Sequence, residues 1–160
     1  MLRIYKYLLR PNTKQMKTLD FLLWQSRLVY NAAFEQRISI YQETGKGISY
    51  QNQWAYFRDL RHTEPDTLGK LNASSIQQLL RRLDKAFSAF FRRIKSGERP
   101  GFPRFKGHNR FKSMEYTYGD GCKLLQDIHG RRSFYLQNVG EMKMCFHRGL
   151  PHGSKIKFAP

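Results

Sequence analysis

The sequence predicts an α+β fold, in which one strand precedes a helical region and a series of short strands follows it. Residues 2–9 alternate loosely and are rich in Ile, Tyr and Leu, as strands are. Between residues 14 and 95, apolar side chains recur at helical spacing. After Gly97 the helical pattern stops, and glycines separate short β-like stretches.

The first two helices are predicted from their ends and their apolar spacing. Thr13 follows Pro11-Asn12 and can cap a helix that begins at Lys14, and Gly45-Lys46-Gly47 ends this segment. Its apolar residues fit either one long helix or two abutting ones. Ser49 then predicts the N-cap of a shorter helix, from Tyr50 to about Arg61.

The clearest helix runs from about Ala73 to Lys95, with Asn72 as its cap and Gly97 at its end. Its apolar residues define one face and are expected in the core: Ile76, Leu79, Leu80, Leu83, Ala86, Phe87, Phe90, Phe91 and Ile94. The phenylalanines in this set could also form a platform for stacking on bases, but their spacing favours burial.

Five strands are predicted after a turn-rich linker at 98–107, at roughly 111–118, 123–128, 133–138, 142–147 and 155–159. An isolated strand cannot bury its apolar face. We therefore expect the N-terminal strand to rejoin the sheet that these later strands form.

The charge balance predicts a polyanionic partner. Lys and Arg number 29 against 12 Asp and Glu, which gives a net charge of +17. Nucleic acid relieves the resulting self-repulsion, and the 12 Phe, 9 Tyr and 2 Trp can stack on bases. An anionic membrane surface is the competing partner, but no apolar run reaches the roughly 18 residues of a membrane span. We expect a cytoplasmic, prokaryotic protein without membrane association, which joins the nucleoid when it is bound to DNA.

The basic residues concentrate between Arg81 and Lys112, where eleven face only Asp84 and Glu98. Phe102, Phe105 and Phe111 lie among them and could stack on bases. A solvated helix face is the alternative. We predict RNA or phosphate contacts from Arg81, Arg82, Lys85, Arg92, Arg93, Arg104, Lys106, Arg110 and Lys112. Tyr116 and Tyr118, further on, fit either base stacking or the covering of a sheet.

Neither catalytic residues nor metal ligands are predicted. Cys145 and His147 could join Cys122, His129 or His152, but the spacing matches no standard zinc pattern. A two-metal nuclease needs carboxylates that converge on one pocket. The acids here are scattered, and pairing with neighbouring arginines accounts for them.

Four blocks of sequence resemble the TnpB (OrfB) family of transposon-encoded RNA-guided nucleases, which is related to type V CRISPR effectors. They lie in the family's order, and Leu9-Arg10-Pro11 with Gln15 fits as well. The blocks are Arg27-Leu28-Val29-Tyr30-Asn31, Gln78 to Phe87, Phe90-Phe91-Arg92 and Gly101-Phe102-Pro103-Arg104-Phe105-Lys106.

The resemblance implies a partial β-barrel, the wedge (WED) domain, with a helical recognition (REC) bundle inserted in it. The first WED strand would be residues 1–10, the REC domain 11–103, and the remaining, incomplete WED strands 104–160. The implied partners are a guide RNA and target double-stranded DNA. In such systems base pairing reads most of the sequence and the protein reads a short adjacent motif.

By position in the family, the readers of that motif would be Tyr50, Gln77 and Thr117. Gln77 lies near the N-terminal end of its helix, off the apolar face, and an amide can bond adenine bidentately. A helix-turn-helix regulator that acts without RNA is the alternative function, with the helices around Tyr50 or Gln77 in a major groove.

The family's nuclease is an RNase H-like (RuvC) domain with three carboxylates, followed by a zinc ribbon, and both would lie beyond Pro160. We therefore expect an N-terminal half, either a truncation or one piece of a split protein with a separate C-terminal nuclease partner. We expect no cofactor in this chain, since Mg²⁺ belongs to the nuclease domain.

Overall fold

A computed structural model describes residues 3–156 and the backbone of 158–159, and within them the chain forms three α-helices and six strands. The α+β class is therefore confirmed. Single turns of 3₁₀ helix lie at Leu68–Lys70 and His108–Arg110. The helices are α1 (Thr13–Thr44), α2 (Tyr50–Thr63) and α3 (Ala73–Lys95), and the strands are β1 (Leu8–Arg10), β2 (Tyr116–Thr117), β3 (Cys122–Gln126), β4 (Arg132–Leu136), β5 (Gly140–Cys145) and β6 (Phe158–Ala159).

The helix ends follow local side-chain chemistry. Ser49 and Asn72 cap α2 and α3, as predicted. At α1 the cap is Asn12 and not Thr13: Asn12 Oδ1 accepts a bond from the Gln15 amide at 2.9 Å, and Gln15 Oε1 accepts one from the Asn12 amide at 3.0 Å. This reciprocal pair fixes the start of the helix one residue earlier. Gly45 ends α1 in the left-handed region, with φ of 69°.

The helices enclose the larger core. Residues 13–44 form one continuous helix, which settles the choice between one helix and two. Val29, Tyr30 and Phe34 of α1 pack with Phe57 of α2 and with the buried side of α3. That side consists of Ile76, Leu79, Leu80 and Leu83, as the spacing predicts.

Burial fades toward the C-terminal end of α3. Phe87 and Phe90 are half-buried, whereas Phe91 is 54% exposed and Ile94 is 48% exposed. The prediction of core positions for Phe91 and Ile94 was therefore wrong. Periodicity identifies the face that a helix buries, but it does not show how far along the helix its neighbours extend.

The sheet joins the two ends of the chain. Its four antiparallel strands have the order β1-β5-β4-β3, and Leu8 pairs with Cys145. The prediction that the N-terminal strand rejoins a later sheet is confirmed. The strand runs from Leu8 to Arg10 and not from 2 to 9: residues 3–7 form no strand, and Leu2 lies outside the described residues. Tyr7 stacks on Phe146 at 5.0 Å and donates its hydroxyl to the Arg148 carbonyl at 2.7 Å.

The predicted partial barrel is not confirmed. Within the described residues the four-stranded sheet is open, with β1 and β3 at its edges, and β2 pairs with β6 in a separate two-stranded sheet. The strand predicted at 111–118 is confined to Tyr116–Thr117, because Phe111 packs into the helical core instead. Of the strand predicted at 155–159, Lys157 lies outside the described residues.

Polar side chains fasten the helices to the sheet. The Asn72 side chain caps α3 and also donates to Gln137 Oε1 at 2.8 Å. Gln15 Nε2 donates to the Glu141 carbonyl at 2.8 Å. Gly121, with φ of 89°, leaves room for Asn72, because a Cβ there would lie 2.6 Å from Asn72 Nδ2. The Asn72 contacts fix α3 against the β region, and the Gln15 bond fixes the start of α1 against it.

No helix in the described part of the chain is long and apolar enough to cross a membrane.

Candidate nucleic-acid interface

A stripe of polar and basic side chains runs along α3 on the side away from the core. Residues four or seven positions apart share a helix face, and the buried leucines lie on the opposite one. We call this set the α3 stripe, and it consists of Gln77, Arg81, Lys85, Arg92 and Lys95. Its four basic members are exposed. A helix that buries one face and presents cations on the other can follow a phosphate backbone.

Two of the predicted motif readers lie beside the same member of this stripe. The Arg81 guanidinium lies over the Tyr50 ring, 5.6 Å from its centroid. Gln77 is one turn before Arg81 on α3, and both Tyr50 and Gln77 are half-buried. Tyr50 and Gln77 are therefore both neighbours of Arg81 in the N-terminal half of α3.

The third predicted reader belongs to the β region. Thr117 lies in β2, is half-buried, and pairs with Phe158 of β6. Strand β2 packs against α3, so Thr117 lies in a strand that contacts the same helix. Its neighbour Tyr116 is buried in the small core of the sheet.

Arg82 contacts the segment that follows the basic linker. Its guanidinium donates to the carbonyl and the hydroxyl of Ser113, at 3.3 and 3.4 Å, and lies 5.6 Å from the Phe111 ring centroid. Arg82 therefore joins α3 to the segment after the linker. Arg93, Arg110 and Lys112 of the predicted set are exposed.

The basic linker is pinned to α1 by a side chain that the sequence did not single out. Asn31 Nδ2 donates to the Lys106 carbonyl at 3.0 Å, and the Lys106 amide donates to Asn31 Oδ1 at 2.8 Å. Lys106 Nζ lies 5.7 Å from the Tyr30 ring centroid, and Phe105 packs edge-on against Phe34 at 4.6 Å. Arg104, which directly precedes these anchors, is exposed.

The predicted stacking residues of this region differ in accessibility. Phe102 and Phe105 are about half exposed, at 48% and 52%, although both contact Phe34. Phe111 is buried in the helical core, so the expectation that it stacks on bases was wrong. Phe111 closes the core beneath the linker instead.

A polar cluster holds the three helices in register. Arg37 of α1 bonds Asp84 of α3 at 2.9 Å and Gln53 of α2 at 2.8 Å, and Gln53 also donates to the Ala33 carbonyl at 2.8 Å. Asp84 is thus an ion-pair partner, as expected for the scattered acids. The roles of Arg37 and Gln53 could not be found in the sequence, because such contacts join residues 16 and 47 positions apart.

Tyr116 and Cys122 form the centre of the small core in the sheet region. Burial, with a smaller contribution from the neighbouring Cys122, raises the pKa of Tyr116 to about 12. Burial, and then repulsion by Asp120, raises the pKa of the Cys122 thiol to about 11. Tyr116 therefore covers the sheet, and its ring is not open to bases. In the described residues no three His, Cys, Asp or Glu side chains are grouped as metal ligands would be.

Comparison with known proteins gives a consistent relationship. Residues 1–46 match the helix-turn-helix domain model of OrfB proteins of the IS605 type. The chain is 32% identical over 117 residues to a putative RNA-guided DNA endonuclease from Streptomyces pristinaespiralis, across 72% of this chain and 28% of that protein. It is 27% identical over 143 residues to the putative RNA-guided DNA endonuclease InsQ of Escherichia coli K12, across 89% of this chain and 33% of that protein.

These matches span about a third of the relatives' length. The residues that match the helix-turn-helix model hold β1 and α1, and α1 continues without a turn from Thr13 to Thr44. The chain belongs to the TnpB (OrfB) family and corresponds to its N-terminal region.

Proposed function

We propose that this chain holds a guide RNA and its heteroduplex with target DNA, as the binding module of a transposon-associated RNA-guided nuclease. The observation that carries the proposal is the α3 stripe, which presents exposed cations next to a linker that Asn31 and Phe34 pin to α1. Two relatives are named RNA-guided DNA endonucleases, which supports RNA and DNA as partners.

In this proposal the exposed basic residues contact phosphates, and other residues read the motif. Arg81, Lys85, Arg92, Arg93 and Arg104 are exposed and free to neutralise phosphates, which fixes register without reading sequence. Tyr50, Gln77 and Thr117 would read the short motif beside the target. The Gln77 amide, one turn from Arg81, would bond an adenine edge while Arg81 holds the adjoining phosphate.

In this proposal residues 11–103 form the REC bundle, and residues 1–10 with 104–160 supply strands of a WED barrel. Its support is that β1, before the helices, pairs with β5, after them. The chain would act in the cytoplasm, and cleavage would belong to a nuclease domain with Mg²⁺.

The test is to express the protein with its native flanking DNA, purify it and sequence the RNA that co-purifies. The proposal requires one enriched RNA species, and binding of duplex DNA that depends on that RNA. Tight, sequence-specific binding of duplex DNA without RNA would favour the helix-turn-helix regulator instead.

A further inference from the structure

A cleft lies between α1 and the short turn that follows the linker. Its volume is about 340 Å³, which is near the lower end of the range for ligand pockets, about 300–1,000 Å³. Its lining residues are Asp20, Leu23, Trp24, Arg27, His108 and Phe111. The four from α1 are spaced by three, one and three positions, so they share one face of that helix.

The exposed side chain of Trp24 gives the cleft a face suited to a flat ligand. Trp24 is 44% exposed, and the ring of Phe21 lies tilted to it, 6.2 Å away between centroids. Phe111 also lines the cleft, but it is only 7% exposed and adds no second stacking face. The exposed indole favours a planar, aromatic ligand that can stack.

The polar groups of the cleft lack partners of their own. Arg27 Nε is buried and has no hydrogen-bond partner in the described part of the chain. Arg27 also lines the cleft, and its guanidinium carries further N–H donors for an acceptor in the cleft. Asp20 forms no ion pair with any described residue, although the net charge is +17. Asp20 is exposed and an ionised carboxylate only accepts hydrogen bonds, so a ligand that replaces its water must offer donors.

We propose that this cleft binds an unpaired guanine base of a nucleic acid. Guanine carries two adjacent donors, N1–H and the N2 amino group, which together match the two oxygens of Asp20. It also carries two acceptors, O6 and N7, for the guanidinium of Arg27. Adenine and cytosine each offer a single amino donor beside an acceptor, and uracil a single N–H between two carbonyls. Guanine alone offers two adjacent donors to Asp20 and two acceptors to Arg27 while its ring stacks on Trp24.

The position of the cleft connects it with the basic linker. Arg27 lies one turn before Asn31, the residue that holds the Lys106 backbone, and His108 follows Lys106 by two positions. A strand whose phosphates follow Arg104 and Lys106 could therefore place one extruded base in the cleft. This inference deepens the proposed function, because it assigns base selectivity to a surface whose other contacts go to phosphate.

The test uses Trp24 as its own reporter. The chain has two tryptophans, and Trp54 in α2 is replaced by phenylalanine so that the remaining emission comes from Trp24. Guanosine, inosine and adenosine 5′-monophosphates are titrated at constant ionic strength. We expect saturable quenching by guanosine monophosphate, and about tenfold weaker affinity for inosine monophosphate, which lacks the N2 amino group and so loses one charge-assisted bond.

The decisive variant is Asp20→Asn. It removes a negative charge, so a basic surface that binds any anion would bind nucleotides more tightly. A guanine site would instead lose at least about tenfold in affinity. Asp66→Asn, at an exposed acid outside the cleft, makes the same change in net charge and serves as the matched control. Equal quenching by guanosine and inosine monophosphates, or tighter binding by Asp20→Asn in step with Asp66→Asn, would overturn the inference.

The last experiment asks whether the bound guanine belongs to a nucleic acid or to a free nucleotide. It also distinguishes a failure of the guanine site from a failure of the proposed function. A uridine oligonucleotide, its copy with one central guanosine, and the matching single-stranded DNA are compared. Tighter binding of either guanine-containing strand than of the free nucleotide indicates a base within a nucleic acid. Tighter binding of the free nucleotide would overturn the claim that the base belongs to a nucleic acid. If the uridine strand binds but one guanosine adds nothing, only the guanine site fails. If no strand binds, the proposed function fails with it.

Discussion

The side chain of Asn31 bonds both polar groups of the Lys106 backbone. Asn31 Nδ2 donates to the Lys106 carbonyl at 3.0 Å, and Asn31 Oδ1 accepts from the Lys106 N–H at 2.8 Å. The two residues are 75 positions apart in sequence. A polar residue on the longest helix thereby determines where the basic linker lies. The linker connects α3 to the β region, so this pair of bonds positions the candidate interface.

Asn31→Ala should lower the free energy of unfolding by about 1–3 kcal/mol, because it leaves the Lys106 N–H and carbonyl without their partner. Guanidinium titration at neutral pH provides the measurement. Asn109→Ala, at an exposed asparagine near the linker, is the control and should change stability by less than about 0.5 kcal/mol. Equal effects from the two variants would show that the Asn31 bonds contribute nothing.

Arg37→Met should destabilise the chain by about 2 kcal/mol or more, since it removes the bonds to Asp84 and Gln53 and leaves Gln53 Oε1 in the helical interface. Asp84→Asn should cost less, about 1 kcal/mol, because the Asp84 side chain is 47% exposed. The surface pair Arg58–Asp59 supplies the comparison, and Asp59→Asn should be nearly neutral. A double-mutant cycle on Arg37 and Asp84 with no coupling would refute the role of this pair.

The raised pKa values of Tyr116 and Cys122 predict a loss of stability in alkali. Both groups are neutral when protonated, and the folded chain keeps their protons up to a pH of about 12 and about 11. In the unfolded chain they are released near their ordinary values, about 10 for tyrosine and about 8.5 for cysteine. Stability is therefore full below about pH 8.5 and falls as the pH rises through the folded values. Denaturation measured from pH 7 to 11 should show this fall.

Tyr116→Phe isolates the tyrosine in the same experiment. It should flatten the part of the decline above about pH 10, because a phenylalanine has no proton to release. Tyr135→Phe, on the exposed side of β4, is the control and should leave the decline unchanged. An unaltered alkaline slope in Tyr116→Phe would contradict the assignment.

The helices could be predicted from sequence because their signals are local. Ser49 and Asn72 cap α2 and α3 through bonds that span two or three residues, and the buried face of α3 repeats at a fixed period. The sequence blocks likewise identified the family.

Long-range contacts decided the rest. Phe111 looked like one more aromatic residue in a basic run, yet it enters the helical core, and Phe91, although on the apolar face, has too few neighbours to be buried. Asn31 and Gln53 are ordinary polar residues of helices until the fold brings a backbone or a second helix to them. No local pattern distinguishes such residues from solvated ones. The nucleic-acid roles of Tyr50, Gln77 and Thr117 stay predictions.

The central claim, that the α3 stripe contacts phosphates, is tested most directly by the salt dependence of RNA binding. The triple variant Arg81→Ala, Lys85→Ala, Arg92→Ala is compared with Lys14→Ala, Lys17→Ala, Lys46→Ala, whose three lysines are also exposed and whose loss gives the same net charge. Affinity for the co-purifying RNA, or for a single-stranded RNA of fixed length, is measured from about 50 to 200 mM salt. Each lost contact to a single strand should lower the slope of log affinity against log salt by about 0.7, so the stripe variant should lose about 2. The control should keep nearly the full slope, and an equal loss in both variants would show that the stripe acts only through total charge.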